Sequence, residues 1–536
     1  MSNKNIEQHL AKLIEVGIAL SNEKDKHLLL EYILLSAKEI ANADGGTLYT
    51  LKGDKFLQMD IIHNDSLGIS MGGSSNTAPT FKPLPLYLEN GEPNYANVVT
   101  CALHDDIVID IRDRHKDKHF DFSGAQAFDE STGYQSVSFL TIPMKDHNGQ
   151  MIGALQLINA LDTQGKTIAF SKQNALLVKA LASQAAISLT NQNLITELEL
   201  LFESFIEMLA GAIDQKSPYT GGHCRRVPEL TIMLTEALHS SQNGPLKDFV
   251  MDEAVRYETK IAAWLHDCGK ITTPEYVVDK ATKLETIHDR IHEVNARFET
   301  VRRDYKINLL ELQLSAAEND QPLESTVIDQ YQNDLEQITS DQAFIIQHNT
   351  GGEFMDEDDQ ARVTTIAERY QIIDHLGVSA NLLSDDEVIN MQISRGTLTA
   401  EERQIINKHI NVTIHMLTSL KLPAHMKNVP EIAGGHHERM DGKGYPNGLT
   451  RNQMSVQARA MGIADIYEAL TAADRPYKKA KTISESLSIM KRMKDTGHID
   501  PDIFDVFIKE GIYLDYAHKF LKDYQIDNVD TAELLT

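Results

Sequence analysis

Seven side chains beyond residue 214 stand out as candidate metal ligands: His223, His266, Asp267, His409, His436, His437 and Asp465. Imidazole suits iron, manganese, zinc and similar first-row ions, and a carboxylate can bridge two of them. Their settings strengthen the case. His223 ends the run Pro218-Tyr219-Thr220-Gly221-Gly222-His223, and His266-Asp267 follow the apolar run Ile261-Ala262-Ala263-Trp264-Leu265 and precede Cys268-Gly269-Lys270. His409 lies in EERQIINKHINVTIHML, His436 and His437 open HHERMDGKGYP, and Asp465 lies in RAMGIADIYEAL. A buried, unpaired Asp or His is costly, so several in apolar or glycine-rich settings are best explained by shared cations. Cysteine is not among the expected ligands, which argues against a structural zinc. Cys224 and Cys268 each neighbour a proposed ligand, but adjacent helical side chains diverge by about 100°, so both read as packing residues.

The chain around these residues has 536 residues, 51 Lys plus Arg and 78 Asp plus Glu, for a formal charge of −27. That length suggests several domains, and 42% hydrophobic residues supply real cores. The acidic balance excludes a protein that coats a nucleic-acid polymer. Three cysteines exclude a disulfide scaffold. No apolar run approaches the 18 or so residues of a membrane span, and the polar start MSNKNIEQHLAK lacks a signal peptide's apolar core. A cytoplasmic protein with no membrane partner is expected.

Apolar spacing predicts helix over residues 6–43 and again over 172–190. Between them, alternation predicts a hairpin from Gly46–Leu51 and Lys55–Ile62 around Gly53-Asp54, and another from Ser136–Met144 and Met151–Asn159 across His147-Asn148-Gly149. Helices flanking an antiparallel sheet make an α+β module. Ile187, Leu194, Leu201 and Met208 then recur every seven residues, with Asn191, Leu198, Phe205 and Ala212 four positions after each. This seam predicts a linker helix that pairs in a coiled coil, with Asn191 as a register-setting polar position. Beyond 214 the pattern is nearly all helical. Residues 283–375 form a long polar helical stretch, broken at Asn319-Asp320-Gln321-Pro322 and at the acidic loop Gly351–Asp359. Because metal-binding motifs lie on both sides, it reads as an insertion, and Arg290, Arg297, Arg302 and Arg303 on it, mixed with acids, read as a solvated face.

Two resemblances follow. The stretch FDESTGYQSVSFLTIPMKDHNGQMIGALQLINA (128–160) resembles a GAF domain, a small-ligand sensory module. GAF domains that bind cyclic nucleotides carry an Asn-Lys…Phe…Asp pattern after this strand. Here Asn159 is followed by Ala160, Phe170 is present and Gln173 stands where an acid is expected, so the GAF ligand is left open. The segments H…HDxGK…H…HHExxDGxGYP…D resemble the HD-GYP phosphodiesterases, helical metal-dependent phosphohydrolases that hydrolyse cyclic di-GMP. Together they imply a multidomain chain: an N-terminal helix at 1–19, an α+β GAF domain at 20–190, a linker helix at 191–213, and an all-α HD-GYP domain at 214–525 interrupted at about 283–375.

The second resemblance implies roles. His223, His266, Asp267 and Asp465 match the ligands of one metal, His409, His436 and His437 those of a second, and Asp267 the carboxylate that bridges both. Lys270 matches a lysine near the scissile phosphate. Gly444, Tyr445 and Pro446 form the loop beside the substrate, with Arg439 and Asp441 in the same segment. Some family members hold a third metal with a Glu four residues before the first His. Tyr219 stands there, so two divalent ions, iron or manganese, are expected. Two such ions activate a bridging hydroxide for in-line attack on phosphorus, with Asp267 and Lys270 as the residues that act on the reacting group. Glu438, beside His437, is a candidate partner for a ligand imidazole. Arg459 either guides phosphate or pairs with an acid. The expected activity is hydrolysis of cyclic di-GMP by a homodimer joined through the GAF domain and linker helix. The alternatives are another cyclic dinucleotide or phosphate ester as substrate, or a binding protein that signals without catalysis.

Overall fold

The computed structural model describes residues 14–20, 22–23, 25–75, 77–216, 222–241, 244–352, 354–373, 377–473 and 480–536. Tyr219 and the segment 474–478 lie outside the described residues. The chain divides into two compact units, Met1–Leu201 and Phe202–Thr536. Among the described residues, no helix is long and apolar enough to cross a membrane.

In the first unit, α1 (Lys26–Ala41) starts where the Asp25 carboxylate accepts the backbone N–H groups of His27 and Leu28. It stops at Asn42, whose φ of 49° is left-handed. The helix expected over 6–43 is thus interrupted before Lys26. Residues 14–20 are also helical, and residues 1–13 lie outside the described residues. The strands are β1 (Ala43–Lys52), β2 (Phe56–Asn64), β3 (Ile69–Met71), β4 (Leu84–Pro85), β5 (Ile109–Ile111), β6 (Phe139–Lys145), β7 (Met151–Leu161) and β8 (Thr167–Ile168). They form an antiparallel sheet in the order β3-β2-β1-β7-β6-β5, with β4 added to β2 and β8 to β7. Both expected hairpins are present as β1–β2 and β6–β7.

Alternation sends successive residues of β1 to opposite faces. Leu48, opposite Ile61 and Leu155, is buried with Leu30 and Leu34 of α1. Gly46 lies on that face, and a Cβ there would stand 2.8 Å from Leu34, so the glycine permits the close approach of α1. Thr47 and Tyr49 point the other way. That face is covered by α2 (Val98–His104) and α3 (Ser123–Thr132), and a cavity of about 370 Å³ lies over it, lined by Thr47, Tyr49, Ile62, Phe122, Phe128 and Tyr134 among others. The helix α4 (Lys172–Lys216) buries Val178, Leu181, Ala182 and Ala185 in the α1 core and continues unbroken for 45 residues.

The second unit is mainly helical. Its labelled helices are α5 (His223–Ser240), α6 (Glu253–Leu265), α7 (Ile291–Glu318), α8 (Ser325–Asn349), α9 (Glu357–Arg369), α10 (Asp385–Met391), α11 (Ala400–Ser419), α12 (Val429–Gly434), α13 (Val456–Thr471), α14 (Ile483–Asp495), α15 (Pro501–Lys509) and α16 (Ile512–Phe520). One apolar cluster joins Val227 of α5, Ile261 and Ala262 of α6, Leu417 of α11, Val429 and Ile432 of α12 and Met461 of α13 with Ile206, Ala210 and Ile213 of α4. Another joins Leu234 of α5 and Tyr467 of α13 to Leu487, Phe504, Phe507 and Tyr516 of α14–α16. The elements that carry the seven proposed ligands meet around these two clusters.

The polar helical stretch has a core of its own, built from Leu284, Phe298, Ile338, Ile345, Val363 and Ile366. Leu382, Leu383 and Met391 belong to the same cluster, so this core also packs on residues beyond 375. A short antiparallel pair, β9 (Gln371–Ile373) and β10 (Ser379–Asn381), lies within it and was not expected from the helical pattern. The break at Asn319–Pro322 falls between α7 and α8 as expected. Arg290 and Arg297 pair with Asp386 and Glu387 at the start of α10. They tie the stretch to α10.

Candidate metal centre

Each site residue stands at a defined point of the framework. His223 is the first residue of α5. The apolar run that makes α6 a buried helix ends at Leu265, and His266 and Asp267 emerge from its C-terminus into a tight turn at Cys268–Thr272. His409 lies mid-way along α11, His436 and His437 follow α12, and Asp465 lies on α13. Gly269 lets the turn pass against α11: a Cβ there would lie 1.9 Å from the His409 carbonyl oxygen, and the Gly269 N–H donates to Thr413 Oγ1 at 2.9 Å.

These elements converge on Asp267. Its Oδ2 lies 3.4 Å from His223 Nε2 and 3.3 Å from His266 Nε2, and its Oδ1 lies 3.3 Å from His409 Nε2. The donor atoms of Asp267, His409, His436 and His437 lie within 4.8 Å of one another, as do those of His223, His266 and Asp267. Asp465 Oδ1 joins the second group, 3.4 Å from His223 Nε2 and 3.9 Å from His266 Nε2. The cluster is therefore two groups of donors that share one carboxylate, with one oxygen turned to each.

Three imidazoles are fixed from behind. His266, His409 and His436 hydrogen-bond through Nδ1 to the carbonyls of Ala263, Ile406 and Ala433, each three residues back. A carbonyl only accepts, so each Nδ1 carries the proton and each Nε2 presents its lone pair to the cluster. His266 Nε2, His409 Nε2, His436 Nε2 and Asp267 Oδ1 are buried with no hydrogen-bond partner. Buried polar atoms are normally satisfied, and a divalent cation is the partner that four converging electron-pair donors fit.

The electrostatics of His436, His437 and Asp267 agree. Burial lowers His436 and His437 far below the ordinary imidazole range, reinforced by neighbouring histidines. Both are neutral and suited to metal ligation. Burial pushes the Asp267 carboxyl up, but the Lys270 ammonium and the imidazoles around it outweigh that and hold it well below the usual carboxylate range. The Lys270 ammonium forms an ion pair with Asp267 Oδ2, so this lysine stands at the cluster. Cys224 and Cys268 are buried free thiols whose ionisation burial suppresses, consistent with packing roles.

The loop over the cluster is held by Glu438. Its carboxylate accepts the N–H groups of Asn447 at 2.7 Å and Leu449 at 2.9 Å. This corrects the expectation that Glu438 partners a ligand imidazole: it shapes the turn containing Gly444, Tyr445 and Pro446. A Cβ at Gly444 would lie 2.4 Å from the Arg439 nitrogen, and the Tyr445 ring stacks on His437 with centroids 4.8 Å apart. Arg439 and Asp441 pair with each other at 2.8 Å on the same loop, and among the described residues no hydrogen bond or ion pair brings them to the donor atoms. Arg459 pairs with buried Asp500, the acid-partner role of the two considered. A functional residue missed by the sequence reading is Glu468, one turn beyond Asp465, which binds His223 Nδ1. Its one sequence signal was an acid three residues from a proposed ligand on an otherwise apolar helix.

Comparison with known proteins now bears on this geometry. Residues 25–189 match the GAF domain family and residues 365–503 match the HD domain family. The chain carries a GAF domain and an HD domain. The HD match includes His409, His436, His437 and Asp465 but begins after His223, His266 and Asp267, so it is the fold that unites the two sets. Among curated proteins, the chain is 38% identical over 120 residues to a cyclic di-GMP phosphodiesterase of Pseudomonas aeruginosa, covering 22% of this chain and 28% of that one. It is 35% identical over 116 residues to 3'3'-cGAMP-specific phosphodiesterase 1 of Vibrio cholerae, covering 22% and 26%. The chain thus spans about a quarter of the length of these relatives. A solved GAF domain from an Acinetobacter phosphoenolpyruvate-protein phosphotransferase is similar at 14% identity and a TM-score of 0.26, over 36% of this chain and 98% of that one.

Proposed function

We propose that this chain is a cytoplasmic, sensor-regulated, metal-dependent phosphodiesterase that hydrolyses cyclic di-GMP. The observation that carries the reading is the pair of donor groups sharing Asp267, with four buried donor atoms that have no hydrogen-bond partner among the described residues. In this reading the catalytic unit spans about 214–525 and includes the first three ligands that precede the HD match. The cluster would hold two divalent ions, iron or manganese, which would supply Lewis-acid activation of water and of the phosphoryl oxygens when bound. His223, His266 and Asp465 would hold one ion, His409, His436 and His437 the other, with Asp267 between the two groups. Lys270 balances the Asp267 charge and meets the negative charge that develops on phosphorus. Tyr445, stacked on His437, and the Gly444–Pro446 turn offer an aromatic face to a base of the substrate, with Arg439 and Asp441 at the loop's edge. Water adds to phosphorus, one ester P–O bond breaks, and the departing sugar oxygen takes a proton.

The names of the relatives favour two substrates, cyclic di-GMP and 3'3'-cGAMP. Incubating the metal-loaded full chain with each and separating products by chromatography decides between them. Faster turnover of cyclic di-GMP is expected. Faster turnover of 3'3'-cGAMP transfers the assignment to that dinucleotide, and tight binding with no product supports the non-catalytic alternative.

The proposal includes a homodimer paired along α4. Ile187, Leu194, Leu198, Leu201, Phe205 and Met208 are 43–67% exposed. Other faces of the same helix are buried: Leu181, Ala182 and Ala185 in one unit, Ile206, Ala210 and Ile213 in the other. A second copy of the same seam in parallel register covers these side chains. Wild type is expected to sediment as a dimer, and Leu198→Asp with Leu201→Asp as a monomer. Equal masses for the two proteins contradict the pairing.

A further inference from the structure

His223 differs from the other buried imidazoles of the cluster in how it is held. His266, His409 and His436 each use a carbonyl three residues back in their own chain segment. His223 is the first residue of α5, so that helix has no residue three positions back to supply such an acceptor. A side chain takes the place of that carbonyl. Glu468 on α13 binds His223 Nδ1 through Oε2, and its Oε1 accepts from Arg226 Nε at 2.7 Å. Its side chain is 1% exposed, so both carboxylate oxygens are committed inside the protein. Arg226 lies three residues after His223 on α5, and Asp465 three residues before Glu468 on α13, so each pair shares a helix face. The Glu468 contacts therefore lock together the two helices that carry His223 and Asp465. No hydrogen bond or ion pair links Glu468 to His409, His436 or His437 among the described residues.

We propose that Glu468 is the positioning residue of one half of the metal centre, setting the metal affinity of the His223–His266–Asp465 side and leaving the His409–His436–His437 side unchanged. This rests on the two-metal reading above. A carboxylate behind a ligand imidazole orients the ring and makes its other nitrogen a better donor, and loss of such a partner costs about 10–100-fold in metal affinity. Three imidazoles held by main-chain carbonyls do not offer that lever, because no substitution removes a backbone acceptor.

The test is titration of Mn(II) by equilibrium dialysis, and of Co(II) by visible absorption, into the metal-free full chain of wild type, Glu468→Gln and Glu468→Ala. Wild type is expected to bind two ions. Glu468→Ala is expected to bind one ion as wild type does and the second about 10–100-fold more weakly, with the Co(II) absorption of that second step altered. Glu468→Gln keeps a neutral acceptor for Nδ1, so it is expected to fall between the two and to restore the Co(II) band shape. Two sites weakened alike, or two sites unchanged in both variants, overturn the positioning role. Two sites weakened alike would mean that Glu468 acts only on general packing. If wild type itself binds no ion, the two-metal reading fails together with the role of Glu468. If Glu468→Ala does not fold, the Gln variant alone decides, since it preserves shape and one hydrogen bond.

Discussion

Replacing His266 and Asp267 together by alanine is expected to abolish hydrolysis, lowering kcat/KM at least 1000-fold, which corresponds to about 4 kcal/mol of transition-state stabilisation. The size follows from geometry. Asp267 sits between the two donor groups, its Oδ2 facing His223 and His266 and its Oδ1 facing His409. Its removal takes a donor from each side at once, and removal of His266 takes a second from one side. No single peripheral ligand has this reach, so His437→Ala is expected to cost less than the double replacement. Bound metal, measured by elemental analysis, is expected to fall with activity. The far-UV circular dichroism is expected to stay the same, because the surrounding cores of α5, α6, α11 and α13 are built by other residues. Turnover at the wild-type rate by the double variant contradicts the mechanism.

Gly269→Ala is the second large effect, and it acts through the framework. A Cβ there meets the His409 carbonyl oxygen at 1.9 Å and the Thr413 nitrogen at 2.7 Å. Both are backbone atoms of α11, so no rotamer change relieves the overlap. The turn at Cys268–Thr272 and α11 must move apart, which strains the Gly269–Thr413 hydrogen bond and draws His409 away from Asp267. Overpacking of this kind costs about 1–3 kcal/mol or more. A lowered thermal midpoint and at least a 100-fold loss of hydrolysis are expected from this one methyl group. An unchanged melting curve together with full activity contradicts the close packing of turn on helix.

Much of this was legible in the residues. The two hairpins followed from alternation, because β1 and β7 send every second side chain to a core. The seven candidate ligands stood out because an Asp or His in an apolar run needs a partner, and the structure draws all seven together. What was not legible depends on contacts between distant segments. Glu438 is adjacent to His437 in sequence, yet consecutive side chains point apart, and its carboxylate turns to the backbone of Asn447 and Leu449. Glu468 is 245 residues from His223 and looked like any other acid on a helix. The polarity of residues 283–375 marks exposed surface, and it did not reveal that Leu382, Leu383 and Met391 pack on the core of that stretch from beyond it. The start of α1 was blurred because Asp25 caps it within a stretch whose apolar spacing reads as continuous helix.

In the proposed mechanism one carboxylate, Asp267, lies between two ions. Its most direct test is elemental analysis of the full chain purified without oxygen, on the same sample whose hydrolysis of cyclic di-GMP is measured. Close to two iron or manganese ions per chain, with turnover that disappears on chelation and returns on their addition, is the predicted result. A count near zero or near three, or turnover that survives complete removal of metal, would contradict it.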